Sequence, residues 1–401
     1  MQPIRIVTCA GGAPWEAPIV RGLQRRELGI ELSRRCVDHG ELLGVALRDR
    51  PRAAVVAADL PWLDRELVGT LQDSGVIVIA IGVSSGTRSL EGIGVAHRLP
   101  EAVTADDLAA LLHRVGGEDQ SAPVVPPALA EAAQNDAGGR MVAVWGAAGA
   151  PGRTTVAIHV AVEAARRGQS VLLVDGDAWA ASIAQLLDLD EAPSVTQAAR
   201  LAGEGWLQPL ESCLQPGPSG CAVLAGLARS ELWPEVRERA WISVLDAALE
   251  TRPLVVVDLA APIEEDEELA FDRVPYRRNL MTLATLAAAD EVLLVAGGDP
   301  VGIRRGIVAH RTLADARPDV VKKVRVVVNR APRSPRRVQE CSSQLSEWTG
   351  HPPLAFLPSE PQFERSVWEG SPLHVVAPRS PWLRELRGLV TAVTAVTAVT
   401  A

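Results

Sequence analysis

Residues Val142 to Ile158 read VAVWGAAGAPGRTTVAI: a short apolar strand, a turn of glycine, alanine and proline, then an apolar helix. That layout suits a phosphate-binding loop, in which successive backbone N–H groups and a helix N-terminus point at phosphate oxygens. Gly149 and Gly152 let the backbone come close to a ligand, whereas Ala147 and Ala150 stand where such loops carry glycine and Pro151 stiffens the turn. Thr154, followed by Thr155, holds the position of the hydroxyl that ligates Mg2+. The residue before it should be a lysine, a compact charge for the β- and γ-phosphates. Here it is Arg153, which keeps the charge but is a bulkier planar fork. Taken alone, the loop reads equally well as an ordinary glycine-rich turn between strand and helix.

Its companions decide between the two. Asp175-Gly176-Asp177 ends the apolar run VLLVDGD, and Asp258 ends another in VVVDLAAP. Carboxylates at neighbouring strand tips are suited to orient a Mg2+-bound water and an attacking water. Singly, each is more often a cap or a loop carboxylate. Together, at the C-terminal edge of one sheet where such folds bind ligands, they favour nucleotide chemistry.

The elements that must position these groups alternate along the chain. Residues 1–116 hold strand-like runs at Ile4–Cys9, Ile30–Cys36, Ala53–Ala58, Val76–Val83 and Gly94–Leu99, with helical spacing between them and a Thr104-capped helix at the end. Residues 117–140 are rich in proline, alanine, glycine and polar residues and read as a linker. Residues 141–390 alternate strand and helix again, with strands expected at Val171–Val174, Cys221–Leu224, Leu254–Val257, Glu291–Val295, Val324–Val328 and Pro353–Phe356. A helix is expected at Pro234–Glu250 and a terminal one at Trp382–Val390. Residues 391–401, TAVTAVTAVTA, are low-complexity and read as a loosely attached tail. The fold class is α/β, with two doubly wound parallel-sheet domains.

The first domain resembles a response-regulator receiver without its chemistry. Its first strand ends Thr8-Cys9-Ala10-Gly11-Gly12 with no carboxylate, Asp59 sits at or one past the third strand's tip, and Arg98-Leu99-Pro100 stands where a lysine belongs. A degenerate receiver that docks or localises is expected, with Asp59 a loop cap. The second domain resembles the MinD/ParA superfamily of deviant-Walker ATPases over nearly all of residues 141–390. The loop Ala148-Gly149-Ala150-Pro151-Gly152-Arg153-Thr154-Thr155 matches the family's KGGxGKTT. The resemblance implies ATP and Mg2+ as ligands, Asp177 as the hydrolytic aspartate with Asp175 its helper, and Thr154 and Asp258 on the metal. It also implies Asn329 as the adenine contact, with Arg330 beside it. A late segment carries Pro358, Glu360, Gly370 and Pro372, in the family's P-x-[DE] and G-x-P pattern.

A receiver-like domain before such an ATPase is the layout of the TadZ/CpaE group, which implies a pilus-assembly localisation factor acting as a homodimer with a protein partner. Septum-site regulators and ParA-like partitioning proteins share much of the layout, and a scaffold with a vestigial nucleotide site is a further reading. The family's signature lysine is Ala148 here and its loop lysine is Arg153, so ATP binding with slow or absent hydrolysis is expected.

The rest of the sequence bounds these readings. No run of about 18 apolar residues appears, the start lacks the pattern of a signal peptide, and the five scattered cysteines fit a cytoplasmic chain with free thiols. Membrane association is expected only through partners. Cys213 and Cys221 flank a turn that a hairpin would close, though two small apolar side chains are the plainer reading. Arg330, Arg333, Arg336 and Arg337 lie near Lys322 and Lys323, the only lysines. This cluster suits DNA phosphates, but a net charge of −9 makes a solvated face the better reading. The acidic run Glu264 to Glu268 reads as a helix cap.

Overall fold

The computed structural model describes residues 3–84, 88–116, 139–149, 151–206, 208–264 and 277–395. The chain divides into two compact units, each built on its own sheet.

The first unit runs β1 (Ile4–Cys9), α1 (Glu16–Leu23), β2 (Ile30–Arg35), α2 (His39–Asp49), β3 (Ala53–Ala57), α3 (Arg65–Asp73), β4 (Ile77–Ile81), β5 (His97–Leu99) and α4 (Ala105–Gly116). Its five strands are all parallel, in the order β2-β1-β3-β4-β5. Every residue of β3 is buried, as befits a central strand covered on both faces. Short polar side chains start the helices: Asp38 accepts from the Glu41 amide and Asp64 from the Leu67 amide. Thr104 and Asp107 form a reciprocal capping box at α4.

At the C-terminal edge of this sheet, the Thr8 hydroxyl donates to Glu16 at 2.7 Å and Arg35 pairs with the same carboxylate at 2.5 Å. That ion pair holds Glu16 below its ordinary pKa. Asp59 lies two residues past the end of β3, in an exposed turn, rather than at the strand tip.

The second unit runs β6 (Arg140–Trp145), α5 (Arg153–Arg166), β7 (Val171–Gly176), α6 (Ile183–Leu186), α7 (Val195–Gly203), β8 (Gln215–Pro216), β9 (Ala222–Leu224), α8 (Glu238–Thr251), β10 (Leu254–Leu259), α9 (Leu280–Ala288), β11 (Glu291–Gly297), α10 (Pro300–Ala316), α11 (Pro318–Val321), β12 (Val324–Ala331), α12 (Pro335–Thr349), β13 (Ala355–Pro358), α13 (Phe363–Trp368), α14 (Leu373–Val376) and α15 (Pro381–Thr394). The sheet order is β13-β12-β11-β6-β10-β7-β9-β8, parallel except for β8. Strands β7, β10 and β11 are buried along their whole length, which is why they read as unbroken apolar runs.

Several boundaries differ from the sequence reading. Pro234 sits in a 3-10 turn (Ser230–Glu235), and α8 starts only at Glu238, after an extended Val236. The β8–β9 pairing closes the turn between Cys213 and Cys221, yet both thiols are free and buried. The linker expected at 117–140 falls outside the described residues except for Gly139 and Arg140, and Arg140 already belongs to β6. The expected tail begins as helix: α15 continues to Thr394, with Leu386, Leu389, Val390 and Val393 buried. The three-residue period of the TAV repeat places Val393 one turn beyond Val390, on the same apolar stripe. Among the described residues, no helix is long and apolar enough to cross a membrane.

Helix α15 is held against α5. Arg167 donates to the Arg387 carbonyl at 2.7 Å and to the Thr391 hydroxyl at 2.8 Å. Trp382, Phe363 and His159 pack edge to face, with ring centroids 5.0 to 5.3 Å apart. His159 Nδ1 lies 2.7 Å from the Thr155 carbonyl, and Nε2 accepts the Leu373 amide at 3.0 Å. These partners fix the neutral tautomer with its proton on Nδ1. Burial lowers the pKa from 6.5 to about 4. Between those values the unfolded chain takes up a proton that the folded one refuses. The stability from this site is therefore complete above pH 6.5 and declines as pH falls towards 4, by about 3 kcal/mol in all. Thermal melts at pH 7 and pH 5 should show a smaller acid loss for His159→Gln than for the unaltered chain; equal losses would remove His159 from the acid response.

Candidate functional site

Strands β6, β7 and β10 bring the sequence motifs to one edge. Asp258 of β10 pairs in register with Asp175 of β7 on one side and with Val144 of β6 on the other. The loop after β6 leads into α5, whose first amides follow Gly152 in the left-handed conformation, at φ 96°. A side chain on Gly152 would overlap the Asn329 amide nitrogen, so glycine is required there for close approach as well as for φ. Ala150 lies outside the described residues.

Arg153 is turned into the protein. Its Nε donates to the Leu259 carbonyl at 3.0 Å and its Nη1 to the Ala147 carbonyl at 2.9 Å, with the Gly146 carbonyl at 3.4 Å. Its Nη2 is 3.8 Å from Asp177 Oδ2. A single ammonium would satisfy fewer of these acceptors; the fork ties the loop's first residues to the end of β10. Asp177 is engaged on its other oxygen, where Oδ1 accepts the Trp179 and Ala180 amides, both at 2.8 Å.

Asp175 serves the backbone. It accepts from the amides of Asp177, Ser182 and Ile183 at 3.2, 2.9 and 3.0 Å, fastening the start of α6. Burial raises its pKa to about 6, against the pull of those amides. Gly226 makes room for it: a Cβ there would lie 2.7 Å from the Asp175 carboxyl carbon.

Asp258 is 1% exposed, and its Oδ1 has no hydrogen-bond partner among the described residues. Burial, with the charge of Asp175, pushes its pKa well up; a hydrogen bond from the Thr154 side chain and the nearby Arg153 oppose this. A buried carboxylate oxygen without a partner beside a threonine hydroxyl is a hard oxygen donor set. It fits Mg2+, which takes one or two protein oxygens and completes its shell with water and phosphate.

Asn329 is occupied at both ends. Its Nδ2 donates to the Pro151 carbonyl at 2.8 Å, and its Oδ1 accepts the Trp382 indole at 3.0 Å. Here it is a strut between the loop and α15, and a base contact would require one of these bonds to break. Arg330 is exposed, at φ 53°, in the bulge where the β12–β13 register shifts. Glu360 accepts the Ser380 hydroxyl that starts α15. In the basic cluster, Lys323 is spent on the carbonyls of Ala287 and Ala289, and Arg336 pairs with Glu340. Glu265 to Glu268 lie outside the described residues.

Three contributors have no motif. Trp382 acts through Asn329. Trp179, which follows Asp177, donates its indole N–H to Asn279 at 2.9 Å and lies under the Arg278 guanidinium, 3.6 Å from the ring centroid. Asn279 in turn donates to the Glu264 carbonyl, so the segment after β7 is tied to the segment entering α9. Arg305 of α10 lies against Gly149. The pair Arg304-Arg305 in the first turns of a helix was the only sequence signal for it.

A glycine-bearing loop on a helix N-terminus, a threonine and a buried aspartate beside it, and two more carboxylates on the next strand make the layout of a P-loop nucleotide site. No family model matches the chain. Among curated proteins, an uncharacterized ATP-binding protein of Methanocaldococcus jannaschii is 21% identical over 240 residues, 60% of this chain and 82% of that one. Among solved structures, the cell division ATPase MinD of Pyrococcus furiosus superposes with a TM-score of 0.51 at 21% identity, over 65% of this chain and 100% of that one. A septum site-determining protein MinD of Pyrococcus horikoshii, complexed with Mg-ADP, gives 0.50 at 19% identity over 65% and 98%. A ParA family ATPase of Chlorobium tepidum gives 0.52 at 16% identity over 63% and 98%. The α/β fold is that of the MinD and ParA P-loop ATPases.

Proposed function

We propose that this chain is an ATP-binding positioning or scaffolding protein, similar to the TadZ/CpaE localisation factors of pilus assembly, in which hydrolysis is slow or absent. Residues 141–390 would form the nucleotide-binding domain and residues 1–116 a receiver-like docking domain. The protein would act in the cytoplasm as a homodimer that engages a protein partner. Gly149, Ala150, Pro151, Gly152, Thr154 and Thr155 would hold the phosphates, while Thr154 and Asp258 would take the metal. When bound, Mg2+ supplies charge neutralisation at the phosphate oxygens.

The observation that carries the reading is the commitment of Arg153 and Asp177 to each other and to backbone groups. The loop cation and the hydrolytic aspartate candidate are both used in holding the site's walls, which supports binding over turnover. The first unit supports docking over phosphotransfer, since Glu16 is neutralised by Arg35 and Asp59 stands alone in its turn. The test is equilibrium binding of labelled ATP with and without Mg2+, alongside a phosphate-release assay. Micromolar to millimolar binding strengthened by Mg2+, with little phosphate released, is the expected pair of results. Absence of binding would leave a scaffold with a vestigial site, and brisk turnover abolished by Asp177→Ala would make this a working ATPase.

A further inference from the structure

Helix α10 begins at Asp299, whose side chain accepts the amides of Val301 and Gly302. Gly302 and Gly306 press the helix onto the end of β11. A Cβ on Gly302 would lie 2.6 Å from the Gly297 Cα, and one on Gly306 would lie 2.8 Å from the Ala296 Cβ. Side chains larger than hydrogen at these positions would lift the helix away. Arg305 stands between the two glycines, so their close packing fixes where its backbone sits.

Its side chain reaches the phosphate loop. A Cβ on Gly149 would overlap the Arg305 Nη1 and lie 3.0 Å from its Cζ. Gly149 itself is at φ 101°, a conformation that favours glycine. The missing side chain thus serves two purposes, the turn of the loop and the seat of a guanidinium. Among the described residues, Arg305 is exposed and makes no hydrogen bond or ion pair. Arg153, by contrast, spends its fork on the carbonyls of Leu259 and Ala147 and faces Asp177. The loop therefore has one cation folded into its wall and one lying over its outer glycine with its donors free. Beside Gly149, Ala148 brings no charge of its own.

We propose that Arg305 is the phosphate-binding cation of this site, supplied from α10 in trans to the loop motif and bonding the terminal phosphates of a nucleoside polyphosphate. The inference rests on the ATP-binding reading and assigns its charge contact. A guanidinium without protein acceptors has no internal bonds to break before it donates to a phosphate, and its fork matches two phosphate oxygens.

The test measures binding of the magnesium salts of ATP, ADP and AMP to the full chain and to Arg305→Gln, Arg305→Lys and Arg304→Gln. Arg305→Gln is expected to weaken ATP about tenfold to a hundredfold, the scale of a charge-assisted hydrogen bond, and AMP far less. Arg305→Lys should restore part of the loss and Arg304→Gln should match the unaltered chain. The salt dependence of ATP binding should become shallower in Arg305→Gln. If the unaltered chain binds none of the three nucleotides, the ATP-binding reading falls and this assignment with it. If it binds ATP and Arg305→Gln binds equally well, the assignment alone is overturned. Equal losses for ATP and AMP, or an equal loss in Arg304→Gln, would also overturn it. Unchanged melting temperatures, expected because Arg305 has no bonds within the described fold, separate the effect from misfolding.

Discussion

Truncating Trp382 to alanine is expected to destabilise the second unit by roughly 3–5 kcal/mol and, with it, to loosen the phosphate loop. The side chain is fully buried and meets His159 and Phe363 edge to face. Its removal leaves a cavity under α15, the largest class of core penalty. It also strands the Asn329 Oδ1, which is buried and has the Trp382 indole as its donor. Asn329 then loses half of what holds it while its other end still grips the Pro151 carbonyl. The chain of contact runs from a helix near the C-terminus, through a strand end, to the loop that faces the ligand. Urea denaturation should show the stability loss, and hydrogen exchange should show faster opening of the amides from Gly152 to Val156. Trp382→Phe keeps most of the volume and deletes the N–H, so it should cost about 1–3 kcal/mol, the price of one buried unsatisfied acceptor. Wild-type exchange at the loop in a destabilised Trp382→Ala chain would refute the coupling while leaving the packing argument intact.

That strut also shows where the sequence ran out. The strand tips carrying Asp175, Asp177 and Asp258 were legible because buried parallel strands are continuous apolar runs, and a carboxylate that ends one is conspicuous. The loop was legible from its spacing, and the alternation of periods gave both sheets. What each side chain does was less accessible. Asn329 was placed correctly at the end of β12, beside the loop, but its two partners lie on Pro151 and on Trp382, far along the chain in opposite directions. No local pattern encodes such a pair. Arg305 is hidden for the same reason, since its meaning depends on the glycines that draw α10 onto β11. Asp175 looked like half of a catalytic pair; three backbone amides give it the work of starting α6. The tail misled through composition, because a TAV repeat is low in complexity yet keeps its valines at helical spacing for one more turn.

Restoring lysine at both departures of the loop, Ala148→Lys with Arg153→Lys, is expected to raise the rate of ATP hydrolysis by roughly 10²–10³-fold, about 3–4 kcal/mol of transition-state stabilisation. The present arrangement spends the Arg153 guanidinium on the carbonyls of Leu259 and Ala147. It also leaves that guanidinium 3.8 Å from Asp177 Oδ2, the oxygen not already taken by the Trp179 and Ala180 amides. An aspartate facing a fixed cation on one oxygen and two amides on the other is poorly placed to orient a water molecule. A lysine at 153 presents one compact ammonium with a flexible stem, which meets fewer carbonyls at once and frees the Asp177 oxygen. A lysine at 148 adds charge where the loop has none. Each change made singly should give a smaller gain, because the loop charge and the released aspartate act on the same step. Adding Asp177→Ala to the double-lysine chain should return the rate to its starting level, with ATP affinity changed little. A double-lysine chain that binds ATP and turns over no faster would show that the brake lies elsewhere, the tie between Trp179, Arg278 and Asn279 being the nearest structural candidate.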